Sequence, residues 1–94
     1  MSFFIKEMVK SKVRNLTVGE LLHYSKQYNF HITEHQARQI INYLRTNSPD
    51  PFKASDRDRM FHELSSITDP QTAQQAQALM DEVIQSYGLG HLFN

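Results

Sequence analysis

The chain has 94 residues, 39% of them apolar, with six Phe and four Tyr, no cysteine and no net formal charge at neutral pH. That is one domain's worth of sequence, able to bury roughly two-thirds of its unfolded surface without staples. The missing cysteines exclude disulfides, thiolate zinc sites and a cysteine nucleophile. No uninterrupted apolar run is longer than three residues, as in Phe3-Phe4-Ile5, far short of a membrane span of about 20 residues, so a soluble, cytoplasmic protein is expected.

Residues 2 to 15 place Phe4, Ile5, Met8, Val9 and Val13 near one face and Lys6, Lys10 and Arg14 around the other. This predicts a short amphipathic helix, ended by Asn15 in a left-handed cap. The Phe3–Phe4 pair is its surplus apolar surface and the candidate protein or dimer contact.

Next comes the first of three copies of one phrase: an apolar residue, Thr, two positions, then Glu or Gln. The copies are Leu16-Thr17-x-x-Glu20, Ile32-Thr33-x-x-Gln36 and Ile67-Thr68-x-x-Gln71. In such a capping box the Thr oxygen accepts the N–H three residues on. The Glu or Gln reaches back to the Thr N–H, and the apolar residue before it can staple onto the first turn. Thr17 therefore starts a helix to about Tyr28 that buries Val18, Leu21, Leu22 and Ser25, with Asn29 as its stop. Phe30-His31-Ile32 alternates like an extended link with Phe30 and Ile32 inward. Thr33 starts the third helix, where Ala37, Ile40, Ile41 and Leu44 keep the i, i+3, i+4, i+7 spacing.

Residues 46–51, with two prolines, form the one clear loop. A fourth helix is expected from Ser55, in preference to a start at the Asp50–Pro51 pair, with Phe52 as a loop anchor and Met60, Phe61, Leu64 and Ile67 as its apolar face. The fifth begins at Thr68 or Asp69, with Pro70 in its first turn, where a missing N–H is tolerated. It runs through Ala73, Ala76, Leu79, Met80, Val83, Ile84 and Tyr87 to a glycine stop at Gly88, with Leu89 just beyond. The prediction is an all-α, compact bundle of about five short helices in a single domain spanning 1–94.

Chemistry is thinly represented. His31 and His35 are four apart, but Thr33 as the cap separates them from a common helix face, so no metal site is expected. There is no glycine-rich phosphate loop and no nucleophile–base pair in sight. Asp56 and Asp58 sit where they complement a helix N-terminus. The expectation is no enzyme, no cofactor and no metal. The Gln-rich fifth helix is read as a solvated face, with a partner-facing surface as the alternative.

Charge is unevenly spread. Residues 1–47 carry seven Lys or Arg and three Glu, a net +4; residues 48–94 carry three and seven, a net −4. The halves attract within the monomer, or between two copies, or the basic half faces phosphates. The last option has a pattern behind it. Residues 16–45, helix, extended link and helix, look like SAP-type nucleic-acid-binding modules, with Lys26, His31, His35, Arg38 and Arg45 as the candidate contacts. A neutral chain without a Gly-Lys-rich link is a poor phosphate binder, so nucleic acid is the runner-up to a protein partner or a homodimer.

Taken whole, the segments FIKEMVKSKVRNLTVGELLHYSKQY, ITEHQARQIINYLR and SITDPQTAQQ resemble the YqfT-like family of small uncharacterised proteins from Bacillus and its relatives. The resemblance implies a bacterial cytoplasmic protein and carries over no active or binding residue.

Overall fold

The computed structural model describes residues 2–86, with side chains throughout except those of Ser2, Phe3, Ile5, Val83, Ile84 and Ser86. Among these residues it has five helices and no strand: α1 (Ser2–Arg14), α2 (Val18–Gln27), α3 (Glu34–Asn47), α4 (Ala54–Ile67) and α5 (Pro70–Ser86). The expected stop at Gly88 and the contact at Leu89 lie outside the described residues.

Two of the three capping phrases fold as read. Thr17 Oγ1 accepts the Glu20 N–H at 3.1 Å, and Glu20 Oε1 accepts the Thr17 N–H at 3.0 Å. At Thr33 the reciprocal pair with Gln36 measures 3.0 and 2.8 Å. Gln36 also donates from Nε2 to the Ile67 carbonyl at 3.4 Å, tying the start of α3 to the end of α4. A Glu there could close the box but could not donate.

The third phrase folds differently. Thr68 closes α4 instead of opening α5: its N–H and hydroxyl both donate to the Leu64 carbonyl, at 2.9 and 2.6 Å. Asp69 opens α5, accepting the Thr72 N–H at 2.7 Å and the Thr72 hydroxyl at 2.9 Å. Pro70 decides the register, because its fixed φ suits the first helical position and places the cap at the residue before it.

α4 likewise starts without the cap expected at Ser55. Lys53 holds the N-cap position with no side-chain bond. The preceding turn supplies the order instead. Asp50 Oδ1 accepts from Phe52 N at 2.9 Å, its carbonyl accepts from Lys53 N at 3.1 Å, and its own N–H donates to Asp56 Oδ2 at 2.9 Å. Pro49, Pro51 and Phe52 are buried, so this loop is packed as core.

Helix ends follow local chemistry. Asn29, at φ 61°, is left-handed after α2, and the Phe30 N–H then reaches the Ser25 carbonyl at 3.0 Å. This is the 6→1 bond of a Schellman motif. It turns Phe30 inward, where only 3% of it is exposed. Ser48, at φ 44°, is also left-handed at the end of α3, and its own N–H donates to the Leu44 carbonyl at 2.9 Å. Asn15 does not adopt that conformation; its amide instead donates back to the Ser11 carbonyl at 2.9 Å and the Ser11 hydroxyl at 3.2 Å.

The core centres on α3. Ala37, Ile40, Ile41 and Leu44 are buried together with Leu21 of α2 and Met60 of α4, while Val13, Leu16, Ile32, Leu64, Ile67 and Met80 pack partly buried around them. α3 meets α1, α2 and α4, and α5 lies along α4. The Cα radius of gyration, 12.5 Å, is that of a close-packed chain of this length.

Candidate interaction surfaces

α1 is turned relative to its sequence pattern. At about 100° per residue, Lys6, Val9, Lys10 and Val13 share one side, and Phe4 and Met8 share another. The first side meets the protein. Val9 is buried, Lys6 Nζ lies 5.4 Å from the centre of the Phe52 ring, and Lys10 Nζ is 3.9 Å from Asp50 Oδ2. The lysines expected on the solvent face therefore lie against the packed 49–52 loop. Their aliphatic stems can cover an aromatic surface while the ammonium groups meet a ring face and a carboxylate.

The consequence is an outward apolar ridge. Phe4 is 72% exposed and Met8 57%. Of the two interface candidates from the sequence, Phe4 stands on this ridge and the Phe3 side chain lies outside the described residues. Sequence reasoning missed Met8, assigning it to the core stripe. Nothing in the helical period could have corrected this, because the period says which residues share a face and not what the face meets.

The five nucleic-acid candidates fall on two elements, the α2–link junction and α3. Lys26 and His31 line a shallow depression with Leu22, Ser25, Asn29 and Phe30, where the end of α2 runs into the link. His35, Arg38 and Arg45 are exposed on α3 at spacings that set them on one side of the helix. Arg38 is engaged there by Glu34, whose Oε2 accepts from its Nη2 at 2.7 Å and its Nε at 3.2 Å. This lowers the local positive charge. A second depression, between α3 and α4, is lined by Gln39, Asn42, Tyr43, Asn47, Glu63 and Ile67. Burial, followed by the nearby Glu63 carboxylate, pushes the Tyr43 phenol up from its ordinary value of 10.0.

The ion pairs seen among the described residues are mostly local. Glu7–Lys10, Lys12–Glu20, Glu34–Arg38 and Asp56–Arg59 each join residues of the same half of the chain; Lys10–Asp50, at 3.9 Å, joins the two halves. Lys12 to Glu20, at 2.7 Å, fastens α1 to the capping box of α2. Its ammonium group is the main reason the Glu20 carboxyl lies below its ordinary value of 4.5, followed by the Thr17 N–H. Asp69 is lowered by the Thr72 N–H and hydroxyl. Both shifts belong to helix caps. Among the described residues there is no group of three or more His, Asp or Glu able to hold a metal ion, and no helix long and apolar enough to cross a membrane.

Comparison with known proteins gives the family of the chain. Residues 1–84 match DUF2624, a protein family of unknown function. The chain belongs to that family. It is similar to the uncharacterized protein YqfT of Bacillus subtilis (strain 168), 30% identical over 77 residues that cover 82% of this chain and 92% of the relative. That agrees with the resemblance read from the sequence. No solved structure matches.

Proposed function

We propose that this protein is a small, non-enzymatic cytoplasmic protein that acts through surface contacts with a protein partner or with itself. The observation that supports it is the ridge on α1: two large apolar side chains, Phe4 and Met8, face outward on a helix whose Lys6 and Lys10 lie against the 49–52 loop. Large exposed apolar groups on one helix face are a feature of recognition surfaces.

The test is recovery of a tagged chain from nuclease-treated cell extract, beside a Phe4→Glu, Met8→Glu double variant. A defined protein, or a second copy, should accompany the wild type and be lost with the variant. Equal recovery by both would reject the ridge as the contact. Recovery that depends on intact nucleic acid would favour the second reading, a nucleic-acid contact through residues 26–45, for which the shared side of His35, Arg38 and Arg45 is the supporting feature. In that case Arg38→Glu should weaken duplex binding, and affinity should fall steeply with salt.

A further inference from the structure

We propose that α1 is a releasable clasp on the 49–52 loop and that its docking controls the order at the start of α4, with Asp50 as the relay between them. The device is independent of what meets the outward ridge. α4 takes its order from outside the helix. α2, α3 and α5 each open on a side chain that accepts a first-turn N–H, whereas Lys53 at the start of α4 makes no such bond. Asp50 stands in for it from upstream. Its Oδ1 accepts the Phe52 N–H in an Asx-turn, its carbonyl accepts the Lys53 N–H, and its own N–H donates to Asp56 Oδ2 in the first turn of α4. α4 holds the same loop in return, Arg57 Nη1 donating to the Pro51 carbonyl at 3.4 Å.

The second carboxylate oxygen of Asp50 is where α1 joins in. Oδ2 lies 3.9 Å from Lys10 Nζ, and the Phe52 ring centre lies 5.4 Å from Lys6 Nζ. Lys6 and Lys10, one helical turn apart, share a side of α1 with the buried Val9. The two lysines therefore touch the two residues that the Asx-turn joins. An unbroken series of contacts runs from Lys10 through Asp50 to Lys53 and Asp56.

Two features make the clasp releasable. Lys10 Nζ also meets Glu7 Oε2 of its own helix, at 3.2 Å, so it can leave Asp50 and keep a carboxylate. The Lys10 and Asp50 side chains are 32% and 28% exposed, open enough to water for salt to screen them. At the far end of α1, Lys12 is fastened to Glu20 at 2.7 Å, and the Asn15 amide closes onto the Ser11 carbonyl. Release therefore begins at Lys6 and Lys10, with α1 swinging about its junction with α2. Asp50 then loses its cation, and the turn that orders Lys53 and Asp56 loosens with it.

Residue-resolved hydrogen exchange on the native chain tests the device, read at the bonded N–H groups of Asp50, Phe52, Lys53 and Arg57. Lys10→Gln should speed exchange about threefold, the scale of an exposed ion pair, in α1 and at those four groups together. The α3 amides from Ile40 to Leu44 should keep their wild-type rates. Raising salt on the wild type should reproduce this pattern with no substitution at all. Glu7→Gln should slow exchange at the four groups, because Lys10 is then left to Asp50. In an Asp50→Asn background, which keeps an acceptor for the Phe52 N–H, Lys10→Gln should change them no further. The proposal is overturned if Lys10→Gln leaves the four groups unchanged, whether or not α1 is freed. It is overturned equally if α3 speeds up to the same extent, or if Glu7→Gln does not slow them.

Discussion

α1 and α3 are both amphipathic by sequence, and the fold treats them in opposite ways. α3 buries Ala37, Ile40, Ile41 and Leu44 at the centre of the molecule. α1 buries Val9 but leaves Phe4 and Met8 outside, seating Lys6 and Lys10 on the 49–52 loop. The difference lies in what each helix has to meet. α3 is surrounded by α1, α2 and α4 and offers one apolar stripe to all of them. α1 meets a loop that presents an aromatic ring and a carboxylate, which long cationic side chains satisfy as well as apolar ones do.

The sharpest way to break this contrast is to truncate both stripes. Ile41→Ala should cost about 2–5 kcal/mol, the range for emptying a buried aliphatic site, whereas Met8→Ala should stay within about 0.5 kcal/mol. Urea unfolding midpoints measure both, and equal losses would place Met8 in the core. Next in size is the cap of α3: Thr33→Ala should cost about 1 kcal/mol without changing the helix content. Asp69→Ala should lower the midpoint more than Thr68→Ala, because the aspartate opens α5; the reverse order would move that cap back to Thr68.

Smaller again is the seat of α1. Lys6→Ala should cost about 0.5–1 kcal/mol by removing the cation over the Phe52 ring. A loss seen equally in a Phe52→Leu background would show that the ring is not its partner. The smallest effect is in acid. Glu20 and Asp69 are depressed, so the stability they contribute is complete above their ordinary values of 4.5 and 3.8 and is lost as pH falls through the lower folded values. Midpoints compared at neutral pH and near the foot of that range should fall for the wild type and fall less for Glu20→Gln. An identical fall would mean that the Lys12–Glu20 link does not persist in solution.

Much of the architecture was legible in the residues. Thr17 and Thr33 with their partners three positions on announced α2 and α3, Asn29 announced the stop, and Phe30 and Ile32 were read inward across the link. These features are local: the groups that bond lie within a turn of one another. The starts of α4 and α5 were less legible. Asp56 reaches back six residues to Asp50 rather than three, and Thr68 answers to the helix behind it. For the candidate surfaces, Phe4 was visible as surplus apolar area. The depression that Lys26 and His31 share was not, because which exposed side chains gather on one surface depends on how the elements lie.

By itself, then, the sequence determined that this chain is a set of capped helices and where most of them begin and end, because capping and helical periodicity act over distances of three or four residues. Only the tertiary structure decided which face of α1 meets the protein, that the loop at Pro49–Phe52 is packed as core, and that Met8 stands outside. Those outcomes depend on contacts between residues forty or more positions apart, such as Lys6 with Phe52 and Lys10 with Asp50, which no local pattern encodes.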